Sequence, residues 1–297
     1  MKSNLYKILI VVIATIFIGS ISGCDKKNTP VNNGSKSANT KRVITFSPAI
    51  TQIARKLGKQ DLVVGVDKFS YDYLPVDLKK KIKIAGDMLN INSEIFISLN
   101  PTDVIFQSLD TKKLAHIREF IPKTKVSVIK INNLQDITNA VKKVGDILDA
   151  KKQADQIIAN FERKKLMLKG VAKDKPSVLF MSADYNNLCA GEGTFIDDLL
   201  KIAGAKNAAK SILGNKKWKN VEVETIINAA PEVMIVWASN KIKVEKLRKF
   251  WQKQIEIPAV KNKRLYFVTD PRWVLPGADY AEIIPELIKI LTPVKRN

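Results

Sequence analysis

Apolar positions in this chain switch repeatedly between short unbroken runs and stretches with three- and four-residue spacing, the signature of strands interleaved with amphipathic helices. Arg42-Val43-Ile44-Thr45-Phe46 reads as a strand. Ser47 follows as an N-cap with Pro48 at the first helical position, and Leu57-Gly58 closes that helix. Leu62 to Val66 is the next strand. In the second half Val178-Leu179-Phe180-Met181 is a strand, Thr194 caps a helix over Phe195 to Ala203, and Gly204 ends it.

Two segments 130 positions apart repeat one design. Glu94 to Pro101 leads into Val104-Ile105-Phe106, and Glu224 to Pro231 leads into Val233-Met234-Ile235-Val236. In each, a short helix stops before a proline that cannot continue it, and an apolar strand follows at once. Duplicated grammar of this kind predicts an α/β protein made of two similar lobes. Between the halves, Ile137, Val141, Val144, Leu148, Ala154, Ile157 and Phe161 mark one face of a helical stretch from about Leu134 to Leu168 that no proline interrupts. As one helix of ~30 residues it spans ~45 Å, a stiff brace rather than a floppy hinge. The predicted organisation is a first lobe over 42–133, a connecting helix over 134–170 and a second lobe over 171–297.

The first 24 residues follow other rules. Lys2 and Lys7 precede the apolar run Ile8 to Ile18, and a small-residue stretch ends at Cys24. The run is shorter than the ~20 residues a spanning helix needs, so 1–23 reads as a secretory signal. Ile21-Ser22-Gly23-Cys24 resembles the lipobox of bacterial lipoproteins, which implies a lipidated Cys24 and an extracytoplasmic protein anchored to a membrane. The segment 24–41 has one bulky apolar residue, Val31, and reads as a flexible tether. Cys189 is the only other cysteine. With Cys24 lipidated no disulfide forms, and stability comes from packing.

Fifty Lys and Arg against 29 Asp and Glu give a formal net charge of +21. The lysines are dispersed along the sequence, as on a solvated surface, with attraction to anionic headgroups or an anionic ligand as the functional alternative. The compartment and the lack of a basic-aromatic recognition motif argue against nucleic acid. No G-x-S-x-G, H-E-x-x-H or G-x-x-x-x-G-K motif is present, which argues against an enzyme. His116 is the only histidine, in a charged helix, so the multi-ligand capture of a bare transition metal has nothing to build on.

Taken in order, Arg42 to Ala49 with Leu57-Gly58 and Val64-Gly65-Val66, Asn100-Pro101-Thr102-Asp103-Val104-Ile105, Gly193 to Leu200 with Ala203-Gly204, and Ile257-Pro258-Ala259-Val260 with Arg264-Leu265-Tyr266 resemble the solute-binding lipoproteins of metal-chelate ABC importers. The resemblance implies two α/β lobes joined by one long rigid helix, a ligand cleft between them, and a corrinoid such as cobalamin, a ferric siderophore or haem as ligand. It implies an ABC permease as partner and no resident cofactor. Relatives carry a carboxylate in each lobe that pairs with permease arginines; here Gln52 stands at the first position and Asp198 at the second, so the first contact lacks its charge-assisted part.

In this family loops after the strands line the cleft. Tyr71 and Tyr73 lie in the loop Asp67 to Pro75, Met88 in Gly86 to Asn90, Arg272 and Trp273 in Asp270 to Gly277, and Tyr185 follows the second-half strand. Large aromatics in polar loops are poorly explained by core packing, which makes these six the candidate ligand contacts, Tyr73 and Trp273 foremost. Trp237 and Trp251 read as core. The alternative is a basic envelope lipoprotein that binds polyanions or another envelope protein without a transport role.

Overall fold

The first half of the chain builds a wholly parallel sheet. In this computed structural model, which describes residues 41–87 and 90–292, the elements run β1 (Val43–Phe46), α1 (Pro48–Lys56), β2 (Val63–Val66), α2 (Lys68–Asp72), α3 (Val76–Lys79), β3 (Lys83–Ile84), α4 (Ser93–Leu99), β4 (Asp103–Phe106), α5 (Thr111–Phe120) and β5 (Lys125–Val128). The strand order is β3-β2-β1-β4-β5. β1 and β4 are buried along their whole length, which is why they read as continuous apolar runs and not as alternations. Ser47 caps α1 by accepting from the amides of Ala49 and Ile50, with Pro48 in the first turn.

The second half comprises β6 (Ser177–Ser182), β7 (Leu188–Ala190), α8 (Phe195–Ala203), β8 (Lys206–Asn207), α9 (Ala209–Leu213), β9 (Trp218–Asn220), α10 (Val223–Ala229), β10 (Val233–Trp237), α11 (Lys241–Trp251), α12 (Pro258–Lys261), β11 (Leu265–Val268) and α13 (Ile284–Leu291), with α6 (Leu134–Ile147) and α7 (Lys151–Leu168) between the halves. Its sheet, ordered β11-β10-β6-β7-β9 with β8 also on β6, is mixed: β6, β8, β10 and β11 run parallel, while β7 turns back against β6 and β9 against β7. The two lobes are therefore similar but not equal, since the hairpin β6–β7 separates the second-lobe strand from its capped helix α8.

The connector is not one helix. α6 ends at Ile147, and Asp149 takes φ 52° in the left-handed region. The amide of Ala150 donates to Gly145 O at 2.7 Å and that of Asp149 to Asp146 O at 3.4 Å, the paired bonds that close a helix C-terminus. An aspartate in place of glycine hides this stop from a scan for Gly and Pro. A side chain on Gly145 would meet Ala154 Cβ at 2.7 Å, so glycine there lets α7 approach α6 closely. α6 packs on α1 of the first lobe and α7 on α8 and α13 of the second. The brace is thus a joint of two helices, each seated mainly on one lobe, and one hydrophobic core containing Ile50, Ile53, Phe161, Leu199 and Tyr280 runs across both. Residues 40–297 form a single compact unit carrying all of the described core.

The repeat is real at the level of backbone. α4 and α10 each end on a left-handed residue directly before proline, Asn100 at φ 43° and Ala230 at φ 44°. Asparagine tolerates that conformation, whereas alanine is strained there by roughly 1 kcal/mol. Ala230→Asn is therefore expected to stabilise the protein by about 0.5–1 kcal/mol, read as a higher urea midpoint with unchanged slope; a lower midpoint would show that Ala230 carries no strain.

Candidate functional site

In a sheet ordered β3-β2-β1-β4-β5 the connections leave β1 and β4 on opposite sides, and a crevice opens at the carboxyl ends of those two strands. Ser47-Pro48-Ala49 follows β1 and Gln107-Ser108-Leu109 follows β4, and both triplets line a cavity of about 280 Å³. The Ser47 hydroxyl donates to Gln107 Oε1, tying the two exits together. Asp67 and Phe69 reach the same cavity from the carboxyl end of β2, and Val274-Leu275-Pro276 cover it from the second lobe. Asp67 is 2 % exposed and caps α2 by accepting from the Ser70 amide at 2.9 Å. The lining is otherwise aromatic, aliphatic or uncharged, with Phe46 and Phe106 at its base.

A second cavity of about 170 Å³ shares Pro48 and Leu275 with the first and extends it past Tyr73, Gln52, Arg55, Arg272 and Asp279. Tyr73 is 38 % exposed and meets Phe69 edge to face, ring centroids 5.5 Å apart. From the second lobe, Tyr185 stacks at 6.1 Å on Trp237, whose indole N–H is held by Asp270 O at 2.8 Å. Burial, and then the neighbouring Tyr73 with which it shares a hydrogen bond, push the Tyr185 phenol up to about 12. The two tyrosines thus meet across the cleft, one from each lobe, with the Tyr185 phenol protonated at neutral pH.

Several expected contacts lie elsewhere. Trp273 is 1 % exposed; it stacks on Phe180 at 5.8 Å and donates its indole N–H to Glu286 at 2.9 Å. The cause is a short 3-10 turn over Pro271–Trp273, capped by Asp270, which turns the indole into the core and leaves Val274-Leu275-Pro276 facing the cleft. Arg272 does line the second cavity, but Asp270 clamps its guanidinium through Nε and the terminal nitrogen, holding the carboxyl below its usual range and the guanidinium above its own. Tyr71 is not in the cleft: α2, not a loop, carries it onto the core, its hydroxyl donates to Lys79 O at 3.1 Å, and Lys68 and Lys79 lie over its ring. Met88 and Cys24 lie outside the described residues. His116 is exposed on α5 beside Glu119.

The two residues expected to meet a permease have internal tasks. Gln52 Oε1 accepts from the Ala278 amide at 2.6 Å across the lobe boundary, and only a glycine at 277 leaves room for it. Asp198 accepts from the Leu134 amide at 3.0 Å, fixing the start of α6 to α8. Together with the Lys56–Asp279 pair at 3.4 Å they hold the lobes in register. The residues that sequence reasoning passed over, Gln107, Ser108 and Leu109, were signalled only by their place after a buried strand.

Comparison with known proteins agrees with this architecture. The chain is 28% identical over 262 residues, 85% of its own length and 80% of the relative's, to the uncharacterized ABC transporter substrate-binding lipoprotein YvrC of Bacillus subtilis. It is 25% identical over 230 residues, 74% of this chain and 77% of the relative, to the high-affinity heme uptake system protein IsdE of Staphylococcus aureus. The solved structure of the periplasmic vitamin B12 binding protein BtuF of Vibrio cholerae superposes with a TM-score of 0.69 over 84% of this chain and 96% of its own, at 17% identity, a likeness of fold. With residues 43–271 matching its profile, spanning both sheets and the first-lobe wall of the cleft, this chain belongs to the periplasmic binding protein family.

Proposed function

We propose that this protein is the substrate-binding component of an ABC importer, held outside the cytoplasm by lipid on Cys24, and that its cargo is a flat metal chelate of corrinoid or haem type. The cleft carries the reading: two lobes meet over an apolar, aromatic-lined crevice closed by Tyr73 from one side and Tyr185 from the other. Such a surface suits a large planar ligand with few polar edges. Among the described residues the first cavity has Asp67 as its one charged lining residue and no cation, and in the second Arg272 is neutralised by Asp270 while Arg55 shares the lining with Asp279. That charge pattern favours a tetrapyrrole over a polyanionic ferric siderophore. The naming of YvrC as a substrate-binding lipoprotein and of IsdE as a heme uptake protein supports the same reading.

Titration with haemin, cyanocobalamin and a ferric siderophore, followed by tryptophan fluorescence, tests it. Trp237, stacked under Tyr185, is a reporter at the cleft. Saturable quenching is expected with one of the two tetrapyrroles, and protein purified from its native envelope should show the matching corrin or Soret band. Binding of the siderophore alone would overturn the tetrapyrrole assignment, and binding of none of the three would overturn the chelate reading.

A further inference from the structure

The cations dispersed along the first lobe's sequence are gathered by its topology. All five strands of the first sheet run parallel, so their amino ends form one rim, opposite the carboxyl ends that line the cleft. Lys81 precedes β3, Lys59 precedes β2, Lys41 and Arg42 precede β1, and Lys123 and Lys125 stand at the start of β5. Hydrogen bonds fix the row: Lys125 donates its amide to Thr102 O, and Thr102 donates its amide to Arg42 O at 2.8 Å. Lys41 reaches Asp149 at 2.6 Å, which brings the exposed Lys151 and Lys152 of α7 to the same edge. Of the carboxylates there, Asp103 is buried and Asp149 is already paired; Asp61 and Asp77, which share a surface cavity with Lys81, Glu119 in the last turn of α5, Asp146 in the last turn of α6 and Asp155 one turn into α7 remain, fewer than the lysines and arginine of the row. Ile97, 56 % exposed, stands two residues before Leu99, whose carbonyl accepts from Arg42 Nε at 2.8 Å.

We infer that this rim, while the protein is not engaged with its permease, docks on an anionic phospholipid surface and so turns the cleft face of the lobe away from the bilayer. The observation behind it is the coincidence of a basic sheet edge with the point, Lys41, where the first 40 residues join the lobe, a segment that contains the apolar run Ile8 to Ile18 and Cys24. Lysines held near an anionic leaflet contribute additively within a Debye length, and an exposed isoleucine among them adds apolar contact. Ser47, Asp67 and Gln107 sit at the far ends of the same strands, so a lobe resting on its rim presents the crevice to the outside. The inference rests on the extracytoplasmic reading above.

The test uses residues 40–297, the compact unit that lacks the amino-terminal apolar run. It is expected to sediment with phosphatidylglycerol/phosphatidylcholine vesicles at low salt, to be released by 0.5 M salt (about a 4 Å screening length), and to leave pure phosphatidylcholine vesicles unbound. The variant K81E/K123E/K125E/K152E should bind at least about 30-fold more weakly. A variant of equal net charge on α11, K241E/K246E/K249E/K253E, should lose less than about threefold. Both should retain wild-type haemin or cobalamin titrations, which separates failure of this inference from failure of the cleft assignment. Equal losses in the two variants, no binding to the anionic vesicles, or tighter capture by soluble polyphosphate than by vesicles of equal phosphate content would each overturn it.

Discussion

Trp273→Ala is expected to cost about 3–5 kcal/mol of folding stability, the range for removing a large aromatic from a closed core. The indole is 1 % exposed and lies nearly parallel to Phe180, at 13°. Its N–H donates to Glu286, which is exposed and returns to water on truncation, so the loss is one of packing. Because the core that contains Trp273 also contains Ile50 of the first lobe and Phe161 of α7, the loss should appear as one shifted unfolding transition and not as local fraying. Trp273→Phe keeps the ring on Phe180 and should cost clearly less. Urea denaturation of both variants checks this, and the ligand affinity of still-folded Trp273→Ala should match wild type. A variant with wild-type stability and lost affinity would return Trp273 to the cleft.

That residue also shows where sequence reasoning reached and where it stopped. Capped helices, the parallel strand runs and the repeat were legible because each is written locally: Ser47 and Thr194 as caps, Gly204 at φ 84° as a stop, continuous apolar runs in β1, β4 and β10. The general placement of the cleft after the strands came from the family resemblance. The orientation of single side chains did not, because it depends on turns only three residues long. The turn over Pro271–Trp273 sends the indole inward, and the helix over Lys68–Asp72 sends Tyr71 onto the core while leaving Phe69 and Tyr73 outside. The break at Asp149 was hidden for a related reason: aspartate tolerates the left-handed region but is far commoner outside it, so a lone aspartate in a polar stretch does not mark a helix end. Gln52 illustrates a third limit, since its bond to Ala278 joins residues 226 positions apart.

The cleft itself is tested by Phe69→Ala and Tyr185→Ala, one from each lobe. Both side chains are large and open to solvent, 44 % and 39 % exposed, so removing either leaves the core intact and the melting temperature close to wild type. A planar ligand lying between them would cover on the order of 100 Å² of each, worth about 2 kcal/mol per ring, or roughly a 30-fold loss of affinity for each alanine variant. The rings reach the ligand from different lobes, so the double variant should lose close to the product of the two. Tyr185→Phe separates contact from hydrogen bonding: it keeps the face stacked on Trp237 and removes the hydroxyl shared with Tyr73. A phenol held at about 12 stays protonated through the neutral range, so whatever Tyr185 contributes as a donor should be independent of pH between about 6 and 9. Isothermal titration of the four variants with the tetrapyrrole that quenches Trp237 measures all of this. If neither alanine variant weakens binding, the ligand does not sit between the lobes.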